Sequence, residues 1–463
     1  MDRSYRILPT YTGDVSGAAS ALYELGGMVV IHDPSGCNST YNTHDEIRWY
    51  DQESLIFITG LAARDAVLGN DNKLVKDVCD AAEYYRPAFI ALLSSPIPYL
   101  NGTDFPALAR IIEKKTGIRT FFVMTNGMHD YVRGAGNALL KIAENFVERP
   151  AGRSGKEMSD AAVSVETQIA PEGMPSQKEA GCEGIELFPD ASRKPKVNIL
   201  GFTPLDFAAE GAADRLRGVI SRNGFDVLSC WAMGSTLDEL RRSAEADVNL
   251  VVSAAGLQTA HFLEKEFGIP FVAGIPVGKF EEPLMAALSE AVRTGKSALP
   301  CRDFREGAAF ASGISNQGRS FSSIISNQEP SLSSVISNRE PSLSSIISNR
   351  GPSPVRKSVV IGEVVAAGSY AAAMELETGD GFQVVTSLED SAELLRETDR
   401  FVTGEDEVRE ALAGAELVIG DAFYKEVCPE GCEFISVPHL AFSGRNAVRE
   451  LRETQGTVLF RFT

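Results

Sequence analysis

The chain has 463 residues, 44% of them apolar and 23% charged, and its formal net charge is −19. This length suggests roughly two to four domains of ordinary globular composition. An acidic chain repels a phosphate backbone, and no apolar stretch approaches the roughly 20 residues that span a bilayer. The first residues lack the apolar core of a secretory signal. We therefore predict a cytoplasmic protein that binds neither nucleic acid nor membrane.

The first segment, residues 1–148, alternates short β-branched runs with amphipathic stretches. Buried strands that alternate with helices are typical of right-handed βαβ units, so we predict a parallel sheet and a Rossmann-like domain. The predicted strands are Met28–His32, Leu55–Thr59, Ala88–Leu93 and Thr120–Thr125, and the predicted helices are Lys73–Tyr85, Phe105–Lys115 and Tyr131–Val147.

Residues 149–195 are rich in Ser, Gly, Pro and charged residues without sustained periodicity, and we interpret them as a linker. A second Rossmann-like domain is predicted over 196–302. In it, Thr236 and Glu239 form a Thr-x-x-Glu capping box that opens a helix. Its predicted strands are Val197–Phe202, Asp226–Trp231, Val248–Ser253 and Pro270–Ala273.

Residues 303–356 contain a tandem repeat of period 11, of the form SSIISNQEPSL. A proline recurs in the last three copies and would break a helix, so we predict a disordered low-complexity insert. The remaining residues, 357–463, are predicted to form a third Rossmann-like domain. Its predicted strands are Ser358–Glu363, Phe382–Thr386, Glu416–Gly420 and Glu433–Val437.

The most informative loop follows the first predicted strand, where VVIHDPSGC runs from an apolar strand into a Pro/Gly turn and then Cys37. A thiolate at a helix N-terminus is stabilised by backbone N–H groups, and it suits a soft-metal ligand or a nucleophile. A small buried cysteine that fills the turn is the alternative. His32 lies at the same strand end. His439, at a strand end of the third domain, is the histidine best placed for an interdomain cleft.

Other motifs are weaker. Cys79 and Cys230 lie among apolar residues and are predicted to be buried, and the pair Cys428 and Cys432 is interpreted as a turn rather than half of a zinc site. Neither a Gly-x-Gly-x-x-Gly fingerprint nor a Walker A sequence follows a strand, so nucleotide binding is not supported. The sequence shows no Ser–His–Asp arrangement and assigns no catalytic residue.

The order of the motifs resembles the component 1 subunits of nitrogenase and its relatives, which include the dark-operative protochlorophyllide reductase. The resemblance is carried by VVIHDPSGC and ITGLAARDAVLGNDNKLVKDV in the first segment, NGFDVLSCWAMGSTLDEL in the second, and VVIGE, ELVIGDAFYKEV and FISVPHLAFSG in the third. It implies three Rossmann-like domains, a related partner subunit, an iron–sulfur cluster at the subunit interface, and a separate ATP-dependent iron–sulfur reductase.

The resemblance also implies up to three cysteine ligands, of which this chain retains Cys37. The stretch expected to hold the first ligand, 13–18, has no cysteine, and Ser94 and Ser95 occupy the place expected for the third. A four-iron cubane needs about four ligands. We therefore predict a heteromeric 4Fe–4S cluster with Cys37 as its metal ligand and three cysteines from the partner. A homodimer supplemented by an oxygen ligand is the alternative, with Asp14, Asp33 and Ser94 as candidates.

The large metal cofactor of nitrogenase needs a cysteine at the position that matches Val227, so nitrogen fixation is not expected. The predicted function is a nitrogenase-like oxidoreductase subunit that relays electrons through the interface cluster to an unidentified substrate. Cys37, His32 and His439 are its candidate cofactor-binding residues. Two alternatives remain open: a non-catalytic scaffold for metallocofactor assembly, and a cluster-free small-molecule-binding module.

Overall fold

The computed structural model describes residues 5–34, 46–49, 52–150, 193–208, 211–305 and 357–453. Within these residues the fold is mixed α/β with three separate sheets, and every pair of neighbouring strands is parallel. The predicted fold class is confirmed. The domain boundaries themselves stay a prediction, and most of the linker and nearly all of the repeat insert lie outside the described residues.

The first sheet has the strand order β2-β1-β3-β4 and is flanked by helices. Its strands are β1 (Met28–His32), β2 (Leu55–Ile58), β3 (Ile90–Ser94) and β4 (Thr120–Val123). The helices around it are α1 (Asp14–Leu22), α2 (Ala63–Leu68), α3 (Asp71–Tyr85), α4 (Pro96–Leu100), α5 (Phe105–Thr116) and α6 (Tyr131–Phe146). Strand β1 is buried along its whole length because it lies between two neighbours and under helices on both faces.

The second sheet has the order β6-β5-β7-β8. Its strands are β5 (Lys196–Leu200), β6 (Asp226–Cys230), β7 (Val248–Val251) and β8 (Phe271–Ala273), and its helices are α7 (Ala212–Arg222), α8 (Leu237–Arg241), α9 (Leu257–Phe267), α10 (Glu281–Thr294) and α11 (Pro300–Asp303). The predicted capping box is present: the side chain of Thr236 accepts from the backbone of Glu239, whose carboxylate accepts from the backbone of Thr236.

The third sheet has the order β11-β10-β9-β12-β13. Its strands are β9 (Ser358–Ile361), β10 (Phe382–Thr386), β11 (Arg400–Phe401), β12 (Leu417–Gly420) and β13 (Glu433–Ser436), and its helices are α12 (Val364–Thr378), α13 (Glu405–Leu412), α14 (Leu440–Ser443) and α15 (Arg445–Glu453). Two-residue β11 has no counterpart among the predicted strands, because an edge strand this short leaves no periodic signal.

One hydrophobic cluster joins residues from all three sheets, including Val29, Ile199 and Val360. Helix α6 packs on α1 and α9, and nearly every residue of α12 between Val364 and Met374 is buried. None of the helices in the described part of the chain is both long and apolar enough to cross a membrane.

The first element predicted from the sequence in the first segment is the strand Met28–His32, and this prediction is wrong in its order, because the strand is present but is not the first element. The described chain begins instead with an extended stretch and helix α1, and residues 5–12 lie against the third sheet's helices. The carboxylate Oε2 of Glu405, at the start of α13, accepts hydrogen bonds from the backbone N–H groups of Arg6, Ile7 and Leu8 at 2.8, 2.8 and 3.1 Å. One buried side chain thus anchors the N-terminal segment.

This anchor predicts acid sensitivity. The backbone N–H groups, first of Ile7 and then of Arg6, lower the pKa of Glu405 to about 2. Because the folded-state pKa is depressed, the stabilisation is fully present above the unfolded-state value and is lost as pH falls toward 2. Urea unfolding should show Glu405→Gln less stable than wild type at about pH 6, and this difference should shrink at about pH 3. Glu410→Gln, at an exposed carboxylate of the same helix, should show no such dependence.

Candidate functional site

A cleft opens at the carboxyl ends of β9, β12 and β13, facing the loop that follows β5. The connections from β9 and β12 leave toward opposite sides of the third sheet, and such a switch point is where open α/β sheets bind ligands. The cavity volume is about 50 Å³. Its lining includes Tyr11, Asp206, Phe207, Val360, Ile361, Gly362, Glu363, Tyr370, Ile419, Gly420, Asp421, Tyr424, Val437, Pro438 and His439.

A hydrogen-bonded cluster of three side chains lies at this cleft. Oδ1 of Asp206 accepts from the hydroxyl of Tyr131 and lies 3.1 Å from Nε2 of His439. The tyrosine hydroxyl is itself 3.3 Å from the same Nε2. Burial first, and then the charge of Asp206, raise the pKa of Tyr131 well above its usual range. Tyr131 therefore stays protonated and donates to the carboxylate.

Short-range contacts position Asp206 and His439 in this cluster. After β5 the chain turns at Gly201, and the hydroxyl of Thr203 donates to Oδ2 of Asp206 at 2.9 Å. After β13, Pro438 lacks a backbone N–H, and the backbone N–H of His439 donates to Oδ2 of Asp421 at 2.9 Å. Both side chains thus leave strand ends in conformations fixed by short-range hydrogen bonds.

Glu363 adds a second buried carboxyl to the cleft. It caps α12, and its two oxygens accept from the backbone N–H groups of Ala254 and Ala366 at 2.9 and 2.8 Å. Burial, followed by the charge of Asp206, raises the pKa of Glu363 well above its usual range. Because this carboxylate already occupies the helix N-terminus, an anionic ligand is not favoured there.

The N-terminal segment closes one side of the cleft. The hydroxyl of Tyr11 lies 3.2 Å from that of Tyr424, and its ring packs edge-on against His439 with ring centroids 5.5 Å apart. The ring of Tyr424 stacks in turn on Phe442. Burial raises the pKa of Tyr11 well above its usual range, so the phenol is neutral. The described lining therefore combines aromatic rings, three carboxyl groups and one imidazole, and it contains neither Lys nor Arg.

The carboxyl edge of the first sheet is a different place from this cleft. His32, at the end of β1, is buried there and its Nδ1 lies 2.8 Å from Oγ1 of Thr59. Burial lowers the pKa of His32, which keeps the ring neutral. Ser94, at the end of β3, is paired in register with His32, and its hydroxyl donates to the carbonyl of Ser95. The structure therefore does not bring His32 and His439 into contact.

The same edge of the first sheet exposes a group of apolar side chains, which we call the apolar edge patch. Helices α2 and α4 follow β2 and β3, and Asn101 Nδ2 donates to the carbonyl of Ala66 at 3.3 Å, which joins them. A Cβ on Gly127 would meet the ring of Pro96, so the turn after β4 abuts α4. The patch consists of Val67, Leu68, Ile97, Tyr99, Leu100, Met124 and Met128, with exposed fractions of 44–85%.

Comparison with known proteins identifies the family. The family model of nitrogenase component 1 type oxidoreductases matches residues 14–298, more than half of the chain. The chain belongs to the nitrogenase component 1 type oxidoreductase family. The resemblance stated from the sequence is thereby confirmed.

Similar members of this family are named for two different roles. The chain is 23% identical over 261 residues to the nitrogenase iron-molybdenum cofactor biosynthesis protein NifE of Methanosarcina barkeri, covering 56% of this chain and 50% of that protein. It is 26% identical over 275 residues to a light-independent protochlorophyllide reductase subunit of Synechococcus sp. strain RCC307, covering 58% and 46%. The chain thus spans half or less of the length of the curated relatives it matches.

A solved structure of nitrogenase Cp1 at pH 6.5 has the same fold. It superimposes with a TM-score of 0.56, covers 99% of this chain and 94% of that chain, and is 17% identical in sequence. At this level of identity the likeness concerns the fold alone.

Component 1 proteins are expected to carry iron–sulfur clusters, and the described residues do not supply a set of ligands for one. Among them, no group of three or more His, Cys, Asp or Glu side chains could hold a metal ion. Cys37 lies outside the described residues. Of the alternative ligands, Asp14 is fully buried and accepts from the backbone N–H groups of Asn126 and Gly127 at 2.9 and 2.8 Å.

The remaining described thiols do not form a site either. Cys230 is buried, as predicted, and burial raises its pKa to about 12; Cys79, also predicted to be buried, is only half-buried. Cys428 and Cys432 flank a turn between a short 3₁₀ helix and β13, as predicted, and each thiol donates to a backbone carbonyl. Protonated thiols of this kind are poor metal ligands.

His439 was predicted from the sequence as a site residue, but its partners were not. Asp206 and Glu363 both follow strand ends. The rule that places ligand sites at the carboxyl ends of parallel strands could therefore have identified them from the sequence. Tyr131 opens a helix 75 residues before Asp206 and 308 before His439, and nothing local marks it. Whether His32 or His439 contacts a cofactor remains a prediction.

Proposed function

We propose that the chain is one subunit of a nitrogenase-like oxidoreductase. Cys37 would supply one ligand to a 4Fe–4S cluster, and a related component 1 subunit would supply the other three. The cluster would relay electrons from an ATP-dependent iron–sulfur reductase to a substrate. The chemistry that the cluster supplies when bound is one-electron transfer at low potential. His32 is proposed as its neighbour at this edge, and His439 as a ligand-facing residue of the cleft.

The apolar edge patch carries this proposal. It surrounds the carboxyl edge of the first sheet, and the last described residue there, Pro34, precedes Cys37 by three positions. A group of exposed apolar side chains at one edge of a sheet is typical of a protein–protein interface. A partner bound to the patch would exclude water from the segment that contains Cys37. A buried environment with few hydrogen-bond donors suits a cluster that two subunits share. Membership of the component 1 family supports a related subunit as that partner.

Two copies of this chain fit the same role less well. They would bring two Cys37 thiolates, whereas a cubane needs about four ligands. Two of the three candidate oxygen ligands are engaged: Asp14 accepts two backbone hydrogen bonds, and the Ser94 hydroxyl donates to a carbonyl. A heteromer is therefore the better proposal.

Iron analysis tests the proposal. The chain is purified anaerobically alone and after co-expression with a related subunit that contains three cysteines. We expect about four iron atoms and four sulfides per heteromer, and loss of nearly all iron in Cys37→Ala. Cys79→Ala is the matched control and should keep its iron, because that thiol packs half-buried at the side of the first sheet's core.

Substitutions in the apolar edge patch provide a second, independent test, which measures binding of the partner subunit. Leu100→Asp, at a residue 74% exposed, should prevent co-purification of the partner without unfolding the chain, whereas Leu376→Asp on exposed α12 surface should not. A Cys37→Ala heteromer that retains its full iron content contradicts the proposal.

A scaffold for cofactor assembly is the second candidate, and the similarity to NifE of Methanosarcina barkeri favours it. Turnover separates the two roles. An oxidoreductase subunit supports sustained substrate reduction with the reductase and ATP. A scaffold transfers its metallocofactor once and does not support repeated substrate reduction.

A further inference from the structure

We propose that Cys428 and Cys432 form a reversible disulfide by exchange with a low-molecular-weight disulfide. Both cysteines belong to the connection between the 3₁₀ helix Ala422–Val427 and β13, and the proposed function does not use them. The inference is therefore independent of that function. It assigns a redox modification site to a pair that the sequence alone marks as a turn.

A tight turn brings the two cysteines together. The backbone N–H of Cys432 donates to the carbonyl of Pro429 at 3.2 Å, which closes a four-residue turn. Gly431 has a φ of 79°, as the third position of a type II turn requires. Cys428 directly precedes this turn, and Cys432 is its last residue. Both side chains pack against the same hydrophobic cluster of the third sheet, so they lie on one side of the turn.

The two thiols also act on each other. Burial, and then the charge of Cys432, raise the pKa of Cys428 to about 12. Burial raises the pKa of Cys432 as well, but the thiol of Cys428 opposes that rise. Two side chains within such reach, on one side of a turn, can be bridged without a large movement of the backbone. Cys432 is then the thiol that attacks an oxidant, and Cys428 is the thiol that closes the bond.

The surroundings of the pair admit a small oxidant. Cys428 and Cys432 are each half-buried, and the tip of the turn between them is exposed. The charged residues of this loop are three carboxylates and one ammonium group: Glu426, Glu430, Glu433 and Lys425. Because the loop is acidic, it attracts a cationic disulfide more strongly than an anionic one.

The exchange balances in atoms and electrons. The Cys432 thiolate attacks one sulfur of the oxidant, whose S–S bond breaks and releases one thiolate. Cys428 then loses its proton to water, and its sulfur attacks Sγ of Cys432 and releases the second thiolate. The two protein thiols lose two electrons and two protons. The oxidant gains both and becomes two free thiols.

Oxidation of the pair changes one wall of the cleft. The thiol of Cys428 donates to the carbonyl of Tyr424 at 3.3 Å, and that of Cys432 donates to the carbonyl of Glu433 at 3.3 Å. The disulfide removes both donors and ties the end of the 3₁₀ helix to the start of β13. Tyr424, in that helix, lines the cleft and contacts the hydroxyl of Tyr11. The redox state of the pair therefore determines how firmly this wall is held.

Peptide mapping tests the disulfide. The reduced full chain is treated anaerobically with cystamine, a cationic disulfide, and the remaining thiols are labelled with N-ethylmaleimide. Trypsin cuts after Lys425 and Arg445, so one peptide, 426–445, contains both thiols. We expect this peptide to be unlabelled and two hydrogen atoms lighter than its reduced form. Dithiothreitol, added before the label, should restore both labels.

Two matched controls separate the disulfide from simple exchange. In Cys428→Ser, Cys432 should stop at the mixed disulfide with cysteamine, because the second thiol is missing. Cys79, half-buried in α3, should likewise give no lighter peptide. A wild-type peptide that carries the mixed disulfide or two maleimide labels overturns the inference.

Hydrogen exchange measures the effect on the cleft wall. The backbone N–H groups of Cys428 and Cys432 donate to the carbonyls of Lys425 and Pro429. A cross-link across a short loop reduces the entropy gained when the loop opens, so both amides should exchange about 10-fold more slowly after oxidation. Equal rates before and after oxidation overturn the link to the cleft. Neither measurement uses iron, a substrate or a partner subunit, so failure here is distinct from failure of the proposed function.

Discussion

Gly134→Ala is expected to lower the free energy of unfolding by about 3 kcal/mol or more, the upper end of the cost of overpacking. A Cβ at this position of α6 would lie 1.9 Å from the backbone oxygen of Asp14 in α1. The reverse contact is also tight, since a Cβ on Gly17 would lie 2.3 Å from the carbonyl oxygen of Tyr131. Both obstacles are backbone atoms, so no rotamer change relieves the clash and the two helices have to separate.

Gly218→Ala is the matched control for this effect. Gly218 also lies within a helix, α7, but the nearest atom to its added Cβ is the mobile guanidinium of Arg222 at 3.9 Å. Alanine there should stabilise the protein by up to about 1 kcal/mol, because glycine is the poorer helix former. Urea unfolding followed by far-UV circular dichroism checks both variants. Equal midpoints for Gly134→Ala and wild type would show that α1 and α6 do not approach so closely.

Asp399→Asn is expected to cost about 3–5 kcal/mol, because it leaves a buried positive charge without its partner. The side chains of Arg305 and Asp399 are both 0% exposed and form a two-pronged ion pair, with Nη1–Oδ1 and Nη2–Oδ2 distances of 3.1 and 2.5 Å. Asp399 also accepts from the backbone N–H groups of Val384 and Arg396 at 2.9 and 2.8 Å. The loss therefore extends to β10 and to the loop that follows it.

Two further variants separate the charge from the packing. In Arg305→Met with Asp399→Leu, the charge and its partner are removed together. The loss caused by the unpaired charge should be recovered, and the loss caused by the unpaired backbone N–H groups of Val384 and Arg396 should remain. Glu410→Gln breaks an exposed ion pair with Arg400 and should change stability by less than about 0.5 kcal/mol. Thermal and urea unfolding measure all three. An Asp399→Asn variant as stable as Glu410→Gln would contradict the buried pair.

The central strands were predictable because they are apolar, β-branched runs buried on both faces, as in β9 and β12. Several predicted strands extended one or two residues too far, among them the segments that end at Glu363 and Val437. Glu363 caps helix α12 instead of continuing β9, and Val437 begins the loop that lines the cleft. The sequence pattern alone does not show where the strand ends.

Helix α1 was not predicted, since its sequence DVSGAASAL is rich in Gly, Ser and Ala and has a weak amphipathic pattern. Its stability comes from close packing on α6, which is a tertiary effect. Only part of the cleft was predictable, because some of its residues come together through tertiary contacts. His439 stands at a strand end, whereas Tyr11 and Tyr131 reach it from distant segments that only the folded chain brings together.

The docking of residues 5–12 on the last third of the chain has a consequence for biosynthesis. Arg6, Ile7 and Leu8 are synthesised before Glu405, which receives their backbone N–H groups and is 397–399 positions later. At roughly 5–20 residues per second, translation of the intervening chain takes about 20–80 s. During that interval Tyr11 has no aromatic partner from the third sheet, so the cleft is completed only after Tyr424 and His439 have been synthesised.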